Sequence, residues 1–340
     1  SARQLFLYVV LLMSAVSALA DESDFPVPDS IRPAIAFWIK VYTQANTENG
    51  FLHDSQNLNI VYQKLQRDKN LIEDSRKEII ANLKVLASGK RKDLSAAQQE
   101  LLTLWGSDTA NERFELASQN VRWQLGQSDR YQEGLIRSGA YRSHINNVVR
   151  SKNMPLELGA LPHVESSFHP GAYSSVAASG MWQFMRETAQ RFMQVDLVVD
   201  ERLDPYTSTN AAMELLKYNY DALGTWPLAL TAYNHGTNGM ARAVRETGSR
   251  DIGRIISEYK GSRFGFASRN FYPQFLAALE VERKADQYFG KLQLHAAPEF
   301  SIVEMNGFVD VAVIAAALNV DVQTLRQNNP ALLPAIWSAN

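Results

Sequence analysis

The 340 residues suffice for one large domain or two smaller ones with a substantial core, and 46% hydrophobic with 21% charged residues marks an ordinary globular chain. A net charge of −2 without any basic run gives no footing for nucleic-acid binding. Cysteine is absent, which excludes disulfides, thiolate nucleophiles, cysteine-ligated metals and a lipidated cysteine within this chain, while 18 glycines and 12 prolines favour helices over an all-β fold.

In chain order, residues 1–20 carry Arg3, then the apolar run "LFLYVVLLMSAVSALA", then "DESD". The small-residue ending Ala18-Leu19-Ala20 reads as a secretory signal peptide cleaved after Ala20, the run being short against the roughly 20 apolar residues of a membrane span. The membrane would be a partner only if that segment stayed uncleaved. Export without disulfides points to the periplasm of a Gram-negative bacterium.

Residues 21–120 read as an N-terminal helical extension. Apolar positions recur three and four apart from about Ile31 to Asn153, as in Leu58-Val61-Tyr62-Leu65 and Ile79-Ile80-Leu83-Leu86. The mixed-charge stretch 66–100 is a solvated helical face. A second helical block runs from about 154 to 286. Within it Pro155 and Asp204-Pro205 mark helix starts, and the helix after Pro205 has Ala211, Leu215 and Tyr218 on one face and stops near Gly224. "WPLALTAYNHG" (226–236) is a short helix closed by Gly236, and 268–285 a last long helix with Pro273 in an irregular first turn. Beyond 296, "EFSIVEMNGF" alternates like a strand, and two short helices follow, joined at Asn319-Val320.

Chemistry concentrates in the second block. In "ELGALPHVESSFHP" (157–170), Glu165 lies four and seven residues beyond Leu161 and Leu158, so an acid shares the apolar stripe of its helix. Desolvation there favours the neutral form, which suits a general acid holding its proton near neutrality. Ser166 opens the following loop, "GMWQFM" (180–185) sets Gln183 among bulky residues, and Tyr233-Asn234 close the "TAYNHG" helix. Trp182, Phe184, Phe168 and Tyr173 offer flat faces for stacking sugar rings. Taken singly, each of these residues also fits a structural role: Tyr233, for instance, sits where core tyrosines sit. The six histidines lack H-x-x-x-H and H-E-x-x-H spacing, so no metal and no cofactor is expected. His235 reads as a cation at a helix C-terminus.

"ELGALPHVESSFHP", "SGMWQFMRETAQRF", "DERLDPYTSTNAAMELL" and "WPLALTAYNHG" follow one another over about 80 residues. In this order they resemble the motifs of lytic transglycosylases, glycoside hydrolase family 23, with the "GxWQFM" form of the membrane-bound D subgroup. The resemblance implies a mainly α, goose-type lysozyme-like catalytic domain over 121–290. It implies cleavage of peptidoglycan glycan strands between N-acetylmuramic acid and N-acetylglucosamine, giving 1,6-anhydromuropeptides without water. Glu165 would be the single general acid/base, Tyr233 would position it, and Ser166, Gln183, Asn234, Met181 and Trp182 would line the cleft. The subgroup also ends in LysM repeats, small glycan-binding β-α-α-β modules, and residues 296–340 resemble a degenerate or truncated one. The same residues also read as a helical tail packed on the catalytic domain. The alternatives are a lysozyme-like hydrolase, with Asp196, Asp200, Glu201 or Asp204 as second carboxylate, and a non-catalytic peptidoglycan-binding scaffold contacting a cell-wall or secretion complex.

Overall fold

A computed structural model describes residues 23–305, 307 and 309–337; the expected signal peptide, residues 1–20, lies outside them. The chain is mainly helical. α1 (Arg32–Thr43) is followed by strands β1 (Asn49–Asp54) and β2 (Val61–Gln66), then α2 (Lys69–Ala87), α3 (Ala96–Trp105), α4 (Asn111–Ser118) and β3 (Val121–Leu125). α5 (Ser128–Ser138) and α6 (Arg142–Ser151) lead to a 3-10 turn, Leu156–Ala160, and to the five-residue α7 (Leu161–Glu165). The second block continues through α8 (Arg186–Ala189), α9 (Pro205–Leu223), α10 (Trp226–His235), α11 (Thr237–Thr247), α12 (Ile252–Glu258), α13 (Phe266–Arg283) and α14 (Ala285–Phe289). α15 (Val311–Leu318), α16 (Val322–Asn328) and α17 (Pro334–Trp337) form the tail.

The extension is not purely helical. β1, β2 and β3 form an antiparallel sheet in the order β2-β1-β3, and the expected helix through Leu58, Val61, Tyr62 and Leu65 is instead a turn entering β2. The turn explains it: Asp54 accepts from the backbone amides of Gln56 and Asn57 at 2.9 and 2.7 Å, folding the Asn-rich connection back on itself. Successive β1 residues then serve two cores. Phe51 packs with Phe37, Trp38 and Tyr42 of α1, whereas Leu52 joins Ile79, Leu83 and Leu86 of α2.

α1 and the second block share one core. α1 lies on α13, burying Trp38, Val41 and Tyr42 with Ala277, Ala278 and Val281, and Trp38 Nε1 donates to Asn270 Oδ1 at 2.9 Å. The largest core surrounds α9 and α10, both started as the sequence predicts. Asp204 caps α9 through the amides of Tyr206 and Thr207 with Pro205 at N1, and Gly224 ends it in the left-handed conformation. Ala211 and Leu215 are buried there, but Tyr218 is exposed. Pro273 lies inside α13, which begins at Phe266, earlier than expected.

In the tail, α15 and α16 meet at Asn319, left-handed at φ 54°, as the sequence suggests. The expected strand does not form among the described residues of 299–305. Instead, the backbone near 332 pairs with the second block: Asp200 N donates to Ala331 O at 2.7 Å and Leu333 N to Val198 O at 2.9 Å. Among the described residues no helix is long and apolar enough to cross a membrane.

Candidate active site

Glu165 is the last residue of α7, at the helix end where the dipole disfavours negative charge. Leu158 and Leu161 are fully buried and Glu165 is half-buried, but the three do not share one helix as the sequence suggests, because Leu158 lies in the 3-10 turn that precedes α7. The carboxyl makes no hydrogen bond or ion pair with another described residue, and burial raises its pKa to about 8. It therefore holds its proton at neutral pH.

α7 rests on a buried charged network. His163 Nε2 lies 3.1 Å from Glu282 Oε2, and Arg142 Nη2 lies 2.8 Å from Glu282 Oε1. Arg142 also donates to the Gly159 carbonyl at 2.9 Å. Burial alone would raise the Glu282 pKa, but His163 and Arg142 outweigh it and hold that carboxyl low. Burial dominates at His163, lowering its pKa, so the imidazole is a neutral neighbour of a carboxylate matched by Arg142.

Past Glu165 the chain turns sharply. Ser167 and Phe168 take φ of 52° and 57°, and Ala177 and Gln183 are also left-handed, at 64° and 49°. Four non-glycine residues in that region, each costing about 1–3 kcal/mol, need strong fixation. It comes from three directions. Arg137 of α5 donates twice to the Ser167 carbonyl, at 3.1 and 2.8 Å. Arg202, paired in fork geometry with Asp200 at 2.9 and 2.7 Å, donates to the carbonyls of Ala177 and Phe184 at 3.1 Å each. Gly180, at φ 82°, passes so close to this strut that a Cβ would lie 1.7 Å from the Arg202 carbonyl oxygen.

The three motif clusters converge on the 180–185 segment. The Ser166 hydroxyl donates to the Met181 carbonyl at 2.7 Å and accepts from His169 N at 3.1 Å. The Tyr233 hydroxyl donates to the next carbonyl, that of Trp182, at 2.8 Å. Burial, and secondarily the Glu165 charge, push the Tyr233 pKa well up, which places its hydroxyl in the field of the acid. Gln183 turns its amide NH2 onto the Gly180 carbonyl at 2.9 Å, leaving its oxygen free to accept. Asn234 is exposed, and its Oδ1 accepts from Ser268 at 3.2 Å, which points its NH2 outward. His235 Nδ1 lies 3.1 Å from the same Ser268 oxygen. A single hydroxyl proton cannot serve both neighbours, so with Ser268 donating to Asn234 the imidazole carries its proton on Nδ1.

Met181 and Trp182 reach the site only through these carbonyls, because both side chains are fully buried. Trp182 Nε1 donates to Thr209 Oγ1 of α9 at 3.0 Å. Phe168 and Phe184 are likewise core residues, so of the four expected stacking faces only Tyr173 is exposed. The downstream carboxylates are occupied. Asp204 caps α9, Asp200 pairs with Arg202, Glu201 accepts from Gln194 N, and Asp196 accepts from Val198 N and Val199 N. No group of three His, Cys, Asp or Glu able to hold a metal stands together among the described residues. The sequence did not single out Arg137, Arg202 or Ser268; arginines near small-residue loops were the available signal.

The site thus gathers a lone buried acid, a left-handed loop and a tyrosine-asparagine helix end. Residues 144–256 match the family model described as the Transglycosylase SLT domain. The chain is also similar to the membrane-bound lytic murein transglycosylase D of Escherichia coli (strain K12), at 26% identity over 57% of this chain and 43% of that protein. The resemblance read from the motifs is to lytic transglycosylases of this kind. A protein of Alteromonas sp. (strain M-1), described as a tributyltin chloride resistance protein, is 36% identical over 32% of this chain and 53% of its own. The chain thus spans about half the length of these curated relatives. Among solved structures, the 70 kDa soluble lytic transglycosylase of Escherichia coli aligns with a TM-score of 0.39 and 21% identity, over 64% of this chain and 34% of that one.

Proposed function

We propose that this chain is a lytic transglycosylase acting on peptidoglycan glycan strands, with a goose-type lysozyme-like catalytic domain and Glu165 as its single acid/base. The observation that carries the proposal is a buried carboxyl whose pKa burial raises to about 8, while the four downstream carboxylates Asp196, Asp200, Glu201 and Asp204 are engaged with other groups. In the reaction Glu165 gives its proton to the glycosidic oxygen between N-acetylmuramic acid and N-acetylglucosamine as that bond breaks. The carboxylate then takes the proton of the muramic acid C6 hydroxyl while that oxygen closes on the anomeric carbon, with the acetamido group of the substrate steadying the cationic centre. The product is the 1,6-anhydro ring and no water is consumed, unlike the two-carboxylate scheme. Tyr233 stands beside the acid with its own proton committed to the Trp182 carbonyl, while Gln183 and Asn234 meet the sugar.

A hydrolase would need a carboxylate free to activate water, and Asp196, Asp200, Glu201 and Asp204 are engaged elsewhere. Residues 1–20 are read as an export signal, which places the reaction in the periplasm. The tail, 296–340, is read as a degenerate or truncated LysM-like segment on its two helices α15 and α16, and its backbone at 331–333 pairs with that of 198–200. The test is digestion of purified sacculi by the protein and by its Glu165→Gln variant, followed by mass spectrometry. Muropeptides one water lighter than hydrolysed ones, absent with the variant, are expected. Hydrated reducing ends would mean a hydrolase, and binding without release a scaffold.

A further inference from the structure

We propose that a cavity where the N-terminal extension meets the second block binds a short peptide through a free carboxylate, the anion being held by Arg269, Lys260 and Arg113. The site is separate from that of Glu165: none of the residues read as lining the catalytic cleft lines this cavity. Its volume is about 330 Å³, the space of roughly eleven water molecules in the liquid and enough for a dipeptide with small side chains. The extension contributes Pro33 and Ala34 from the first turn of α1, Gln56 and Asn57 from the turn between β1 and β2, and Arg113 from α4. The second block contributes Lys260, just past α12, with Arg269 and Pro273 of α13.

Three cations line the cavity and no carboxylate does. Among the described residues none of the three makes an ion pair. Lys260 Nζ donates to the Ser257 carbonyl at 3.2 Å, and the Arg113 guanidinium carbon sits over the Trp105 ring, 5.3 Å from its centre. Arg269 is the least satisfied. Its Nη atoms reach the Gln56 side-chain oxygen and the Tyr259 carbonyl only at 3.4 and 3.5 Å, and its Nε is buried without a partner among the described residues. Asp54 is the acid in the field of Arg113, but it does not line the cavity, its Oδ1 is committed to the amides of Gln56 and Asn57, and burial raises its pKa. An under-bonded guanidinium beside two further cations fits an oxyanion, which the planar fork of arginine holds well. The backbone decides between carboxylate and phosphate. Gln56 N and Asn57 N, the amides that could cradle a phosphate, are already spent on Asp54. The walls suit a peptide: Pro33, Ala34 and Pro273 supply apolar surface, and Pro273 cannot return the usual helical N–H to the Arg269 carbonyl, so an acceptor for a ligand amide stands beside the cations.

The test is an NMR titration of nitrogen-labelled protein at low ionic strength, read at the amides of Gln56, Lys260 and Arg269, with N-acetyl-alanylalanine, its C-terminal amide and inorganic phosphate. The acetylated dipeptide should shift these signals and saturate. Its amide, of the same shape but without the charge, should bind at least tenfold more weakly, and phosphate at equal concentration should not displace the dipeptide. Arg269→Gln should weaken dipeptide binding at least tenfold. Lys260→Gln, at an exposed position, should weaken it about threefold and carries the test if the Arg269 variant does not fold. Lys77→Gln, which removes an exposed cation of α2 that does not line the cavity, should leave binding unchanged. Unmoved signals, equal binding of the amide, displacement by phosphate, or an equal loss in Lys77→Gln overturns the proposal. The outcome is independent of the reading of Glu165, since no step of the test uses turnover.

Discussion

Glu165→Gln should make the protein more stable, increasingly so as pH rises. The carboxyl titrates near 4.5 when exposed and near 8 in the fold. The folded state thus binds the extra proton across that window, and stability is fully present below 4.5 and lost as pH climbs toward 8. The linkage relation gives a cost of about 2 kcal/mol at pH 6 and about 4 kcal/mol at pH 8, levelling off near 5 kcal/mol above it. Glutamine keeps the shape and never ionises, so it escapes this cost. Urea unfolding of both proteins at pH 5, 6, 7 and 8 would show midpoints nearly together at pH 5 and diverging steadily above it. A stability difference that does not change with pH would refute the reasoning, since it would mean that Glu165 titrates alike in folded and unfolded chains.

The same ionisation governs the rate: turnover should be level below about pH 7 and fall roughly tenfold per unit above pH 8, as the acid loses its proton; a maximum near pH 9 in the rate profile would contradict this. Arg202→Ala leaves the buried Asp200 without its counter-charge and frees the carbonyls of Ala177 and Phe184. It should cost about 3–5 kcal/mol by urea unfolding. Thr209→Val removes the partner of the buried Trp182 indole N–H, and a loss of about 1–3 kcal/mol is expected from the same measurement.

The burial of Glu165 was readable because its signal is local: two leucines four and seven residues before it lie in the same short stretch of chain. Asp204-Pro205 and Gly224 were readable for the same reason, since caps act on their own helix. The sheet was hidden because Leu58, Val61, Tyr62 and Leu65 satisfy a helical spacing by accident, and only the Asp54 turn revealed what followed. Trp182, Phe168 and Phe184 misled as stacking faces because aromatic composition does not say which side of a loop meets solvent. The loop itself could not be foreseen, because four of its left-handed residues are not glycines and its carbonyls are held by arginines distant in sequence.

Ser166 and Tyr233 hold the main chain at 181 and 182, leaving the two side chains to the interior. The identity of Met181 is therefore a question of volume, and that of Trp182 a question of volume and of the indole N–H bond to Thr209. A library randomised at 181 and 182 among large apolar residues should sort by thermal tolerance while product composition stays constant, whereas polar replacements at either position would fail to fold before they could alter the chemistry. Two neighbouring positions at the centre of the site are thus open to retuning the durability of the protein without touching what it makes.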